Sequence, residues 1–123
     1  MLAISTMFCY FFYMQEMIAR FKALGDSNRF RIVMMLRMRP LCVCEILSVI
    51  PVSGGTMSGH LKILQHAGLI SSRKDGKWIE YFIAEDADDF VKQIRSEVTD
   101  DSILREDEQK ISCCDRVSCA QAR

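Results

Sequence analysis

The chain has 123 residues, half of them hydrophobic, which suits one compact domain and excludes anything much larger. Its formal net charge is zero, but the charges are polarised: Arg20 to Lys77 holds ten Lys/Arg against three Asp/Glu, and Trp78 to Arg123 holds six against twelve. A basic half can follow a phosphate backbone while an acidic half faces away. Six clustered cysteines argue against a disulfide-stapled secreted protein and for ligation or redox chemistry in a reducing cytoplasm.

Residues 1–14 (MLAISTMFCYFFYM) are nearly all apolar. They are too short to span a bilayer, and no basic residue precedes them as in a signal peptide. They read as an apolar extension of the first helix or as a start-site artefact, with Met14 as the alternative start. Cys9 lies there and carries little functional weight.

Residues 15–24 predict a helix with Met17, Ile18, Phe21 and Leu24 on one side, ended by Gly25. Asp26 or Ser27 caps a second helix over 28–38, whose inner side includes Phe30, Val33, Met34 and Leu36, and Pro40 closes it. A short third helix spans 42–50 before the turn at Pro51. In a fourth, over 54–67, Met57, Leu61 and Leu64 form the inner stripe and Gly68 supplies the C-terminal cap. Two strands, 69–74 and 77–83, flank the hairpin dipeptide Asp75-Gly76. One amphipathic helix is expected over 86–105, with Phe90, Val91, Ile94, Val98, Ile103 and Leu104 inside, then a polar, cysteine-containing tail over 106–123.

That order is mainly α with a small β-hairpin: a winged helix-turn-helix occupying 15–105, with the fourth helix entering the major groove and the hairpin as wing. On the fourth helix the face opposite the apolar stripe carries Gly55, Ser58, Gly59 and Lys62, flanked by Thr56 and His60. Hydroxyls and a lysine suit base edges and phosphates. Thr56 and Ser58 also suit helix capping, and His60 also suits packing. Arg73, Lys74 and Lys77 cluster at the wing tip as phosphate contacts.

The stretches FKALGDSNRFRIVMML, RPLCVCEIL, VSGGTMSGHLKILQHAGLI and RKDGKWIEYFI, within roughly residues 16–85, resemble in order the motifs of the ArsR/SmtB family of repressors. The resemblance implies a homodimer built on the first and last helices. It further implies binding of double-stranded operator DNA that an inducer reverses. It matches Ser53, Thr56, Ser58 and His60 to the family's DNA-contacting helix. Gly54, Gly55 and Gly59 stand where the family commonly has polar side chains, which shifts specificity toward dimer spacing and DNA shape.

Two thiol sets are candidate ligands: Cys42 and Cys44, resembling the family's arsenic-sensing CxC box, and Cys113, Cys114 and Cys119 in the tail, resembling a C-terminal site of another branch. Thiolates without histidine or carboxylate companions suit a soft ion such as As(III) or Sb(III). Residues two apart on an ideal helix point about 200° from each other, so joint ligation by Cys42 and Cys44 is expected to distort the third helix. Leu47 occupies the place of a third cysteine found in some members. Either set, or both together, can form the site. Four thiolates also suit zinc or cadmium, although 86–105 has no histidine for the family's other zinc site. The vicinal and CxC pairs also suit a redox or persulfide switch. No cofactor is obligatory and no membrane association is expected. A winged helix that pairs with protein is the remaining alternative. No catalytic constellation is recognisable, and Gly54, Gly55 and Gly59 follow no strand, so they are no nucleotide loop.

Overall fold

The computed structural model describes residues 2–99 and 101–114. Its elements are α1 (Leu2–Leu24), α2 (Ser27–Met38), β1 (Leu41–Cys42), α3 (Val43–Val49), α4 (Gly54–His66), β2 (Ile70–Asp75), β3 (Trp78–Ile83), a 3₁₀ turn (Glu85–Ala87), α5 (Asp88–Glu97) and α6 (Ser102–Cys113). α2 is the hub. Five consecutive residues, Ile32 to Leu36, are buried in it, because α1, α4, α5, α6 and β3 all pack around it. Met57, Leu61 and Leu64 of α4 complete the core from below, as their spacing predicts. Each fully buried Ile, Leu or Met contributes about 1.5–3 kcal/mol.

The helix starts follow local chemistry. Asp26 caps α2 by accepting from the N–H groups of Asn28 and Arg29. Ser53 caps α4 through Thr56 N–H at 3.1 Å. Gly68, at φ 75°, takes the left-handed conformation just past α4. In the wing, Asp75 pairs with Trp78, which leaves Gly76 and Lys77 as a two-residue loop. Gly76 has φ 62° and Lys77 a negative φ, the pattern of a hairpin turn with glycine first.

Three sequence expectations are corrected. The sheet has three strands, in order β1-β3-β2, because Leu41 and Cys42 pair with Tyr81 and Glu80. Residue 42 therefore lies in a strand, and α3 begins one residue later. The helix expected over 86–105 is broken: Val98 ends α5 with extended backbone and Asp101 starts α6 by accepting from Leu104 N–H at 2.8 Å. The run Val98-Thr99-Asp100-Asp101-Ser102 pairs a β-branched stop with a strong N-cap signal. Finally, α6 runs through residue 105 to Cys113 and packs on α2 and α3, so the first part of the expected tail is helical. Leu104, Asp107 and Ile111 are buried there, while Ile103 is exposed.

Ion pairs fasten α6. Asp107, 1% exposed, receives Arg31 Nε at 2.8 Å and Nη2 at 2.9 Å. Arg37 and Arg95 both reach Glu108. Much of the basic surplus of the first half thus holds the fold together. At the N-terminus α1 is one continuous helix that includes the apolar run, with Met7, Phe8, Tyr10, Phe11, Phe12, Tyr13 and Met14 all at least half exposed.

Candidate nucleic-acid interface and thiol centre

α4 presents the predicted face. Ser53, Thr56, Ser58 and Lys62 are exposed, and His60 is half-buried. Ser53 has a structural duty: its Oγ accepts from Thr56 N–H and donates to Thr56 Oγ1 at 2.9 Å. His60 is held from behind, with Arg29 Nη1 3.4 Å from its Nδ1. Arg29 in turn donates from Nε to the Ala23 carbonyl at 2.7 Å. Nδ1 facing a guanidinium acts as acceptor, which leaves the Nε2–H as the donor. His60 therefore ties α4 to the α1–α2 corner. The Arg29 N–H is the largest influence holding the Asp26 carboxyl below the ordinary carboxylate range, and burial opposes it.

Gly54, Gly55 and Gly59 have open space where a Cβ would stand. The fold itself does not require glycine at these positions, so they leave a low, bare stretch of helix on the outer face. On the wing, Lys74 and Lys77 are exposed, and Lys77 Nζ lies 5.2 Å from the Trp78 ring centroid. Arg73 is tethered: Nη2 meets the nearly buried Glu80 at 2.8 Å and the guanidinium lies over Phe82. Gln65 Nε2 donates to Ser72 Oγ at 3.1 Å and fixes the wing against α4. Sequence reasoning missed Gln65, Ser72 and Arg29, whose partners come from other elements.

The thiols of Cys42 and Cys44 lie 2.7 Å apart. The expected distortion of the third helix is not needed, because Cys42 is the N-cap residue with extended backbone (φ −86°, ψ 166°) and only Cys44 is inside α3. Strand geometry at one position and helix geometry at the next turn the two side chains to the same side. Cys42 is buried and Cys44 half-buried. Burial first, and then the hydrogen bond with Cys44, push the Cys42 thiol up to about 12. Ligation thus means releasing a proton from a neutral thiol.

Glu45, 1% exposed, organises this turn. Its Oε1 accepts from Cys42 N–H at 3.0 Å and its Oε2 meets Arg39 Nη1 at 2.8 Å. Arg39 Nη2 then donates to the carbonyls of Ile111 and Cys114 at 3.0 and 2.9 Å. One arginine thereby ties the end of α6 to the Cys42 turn. Cys114 Sγ lies 3.5 Å from Ser48 Oγ, one turn along α3 from Cys44. Cys113 is exposed. Cys119 lies outside the described residues. Among the described residues no three Cys, His, Asp or Glu side chains converge as a metal centre, and no helix is long and apolar enough to cross a membrane.

A hub helix, a turn-linked α3–α4 pair and a hairpin beside α4 define a winged helix-turn-helix of the DNA-binding kind. The family described as bacterial regulatory protein, arsR family, matches residues 26–72. The chain is 41% identical over 75 residues to an HTH-type transcriptional regulator of Methanocaldococcus jannaschii, covering 60% of this chain and 81% of that one. It belongs to the ArsR family. It is also 45% identical over 64 residues to the cadmium resistance transcriptional regulatory protein of Listeria innocua, covering 51% of this chain and 54% of that one. With the arsenical resistance operon repressor of Escherichia coli it shares 40% identity over 62 residues, 50% and 53% of the two chains. The chain thus spans about half the length of these two relatives. Its fold is similar to a homodimeric winged helix-turn-helix DNA-binding domain from Mycobacterium bovis, with TM-score 0.64 at 24% identity over 69% of this chain and 80% of that one.

Proposed function

We propose that the chain is a dimeric repressor that holds operator DNA with α4 and the wing and releases it when Cys42 and Cys44 capture trivalent arsenic or antimony. The observation that carries this reading is the pair of sulfurs 2.7 Å apart at the start of α3. Two preplaced thiols lower the entropic cost of chelating a soft ion. The names of the arsenical and cadmium relatives support the inducer class. The tail cysteines Cys113, Cys114 and Cys119 supply the third thiolate that an inorganic trivalent ion takes, with Cys114 beside α3.

The mechanism follows from position. α3 leads directly into α4, and its first turn is tied through Glu45 and Arg39 to α6. An ion bonded to both sulfurs, which needs a wider spacing than 2.7 Å, would shift the Cys42 side of the pair while leaving α3 helical. That disturbance reaches the wing through the Cys42–Glu80 pairing and α4 through the α3–α4 turn. DNA contact rests on Thr56, Ser58 and Lys62 at base edges and phosphates, on Lys74 and Lys77 at phosphates, and on Ser53, His60 and Arg73 as supports of those surfaces.

The same closeness of the sulfurs favours a second reading, oxidation to a disulfide as the release signal. A mobility-shift titration with reduced protein on the upstream DNA separates these, with arsenite, antimonite, zinc, cadmium and peroxide added singly. Release by arsenite or antimonite without oxidant is expected. Release by peroxide alone moves the function to redox sensing, and release by zinc or cadmium alone to a divalent sensor.

A further inference from the structure

Cys42 and Cys44 line an open pocket of about 280 Å³, whose remaining walls are Val43, Lys77, Trp78 and Ile79. Three of those four are apolar. Ile79 is 53% exposed, and Trp78 is half-buried. An ion enclosed by three sulfurs gains little from such a wall, whereas a carbon group bonded to the ion is desolvated by it.

We propose that this site accepts trivalent arsenic carrying one carbon substituent, with Cys42 and Cys44 filling the two remaining valences and the substituent lying against Trp78, Val43 and Ile79. This names the ligand class of the thiol centre and rests on the capture reading above. In the hydrated ligand, R–As(OH)2, each thiol sulfur forms an As–S bond as one As–O bond breaks. Each thiol proton leaves with a hydroxide as water. Two waters are released, arsenic stays trivalent, and no oxidant or reductant takes part. The second As–S bond closes within one protein segment, so it forms at high effective concentration.

The arrangement also gives the ligand a direct route to the DNA-facing surface. Lys77, at the wing tip, lines the same cavity and leans over the Trp78 ring. A group seated there displaces a phosphate-binding lysine without passing through α3. Because two thiols suffice, binding of this class is independent of Cys113, Cys114 and Cys119, unlike that of inorganic arsenite.

The test uses a full-length variant that keeps only Cys42 and Cys44 (Cys9→Ser/Cys113→Ser/Cys114→Ser/Cys119→Ser), with phenylarsine oxide and arsenite as probes. Calorimetry measures affinity, and the emission of Trp78, the single tryptophan, reports occupancy beside the ring. Phenylarsine oxide is expected to bind this variant as tightly as wild type, with changed Trp78 emission, while arsenite weakens at least tenfold. Trp78→Ala is expected to weaken phenylarsine oxide about tenfold, with Trp78→Phe restoring most of it and arsenite binding to the wild-type cysteine set unchanged. Equal losses for both probes in Trp78→Ala, or no loss in either, overturn the proposal while leaving thiol capture standing. Wild-type protein that binds neither probe overturns both readings.

Discussion

Replacing Asp107 by alanine tests how α6 is held, and with it the placement of the C-terminal thiols. Asp107 is 1% exposed and accepts two hydrogen bonds from Arg31, 76 positions earlier in the chain. That bond raises the pKa of a guanidinium already charged at any working pH. Removing the carboxylate strands a cation between α2 and α6, which for buried pairs costs about 3–5 kcal/mol. Arg31 keeps a quarter of its side chain in solvent, so the lower end, about 3 kcal/mol, applies. For a chain of this size each kcal/mol moves Tm by roughly 4 °C, so differential scanning fluorimetry at fixed protein concentration should show a fall of roughly 12 °C. Glu106→Ala breaks an exposed Glu106–Lys110 pair and should cost no more than about 0.5 kcal/mol. Arg31→Met/Asp107→Leu should recover most of the loss, because a buried pair replaced as a unit is close to neutral. An Asp107→Ala shift no larger than that of Glu106→Ala would refute the clamp.

Lys77→Ala should weaken operator binding almost uniformly across DNA sequences and lower the slope of log affinity against log salt by about one; a changed base preference contradicts the wing assignment. Gly59→Ala should stabilise α4 by about 1 kcal/mol, since nothing crowds the added methyl, yet weaken operator binding several-fold by filling the bare face. Unchanged affinity there would remove α4's outer face from the interface. Asp26→Ala should cost about 1 kcal/mol through the lost α2 cap. Asp26 titrates lower when folded, so its contribution is present above its ordinary 3.8 and lost as pH falls through the folded value; acid titration of wild type and variant should converge there. Iodoacetamide at neutral pH should label Cys9 and Cys113 ahead of Cys42, because those two are exposed and Cys42 is buried; peptide mass spectrometry reads the order.

The helix-turn-helix was legible in the sequence because it is local. Met57, Leu61 and Leu64 mark a helical face, Gly68 and Gly76 mark conformations that side chains resist, and Asp26 announces a helix start; that Ser53 caps α4 came only from the structure. The thiol geometry was legible only in part. Two residues on a helix point apart, and periodicity alone does not show that Cys42 belongs to a two-residue strand paired with Glu80. The break at 98–101 was present as Thr-Asp-Asp-Ser and as a shift of phase, since Ile103 falls about 140° round a helix from Val98. Arg31–Asp107 and the Arg39 bridge to Cys114 were not legible at all. Each joins residues more than 70 positions apart, and an arginine on α2 reads equally well as a DNA contact until its partner is placed.

The most direct test of the account is arsenite-driven release of fluorescein-labelled operator DNA, followed by anisotropy with wild type and Cys42→Ser/Cys44→Ser under reducing conditions. The account predicts equal DNA affinity without arsenite and release of wild type only. Full release of the double variant would contradict it, because the trigger would then lie away from the start of α3.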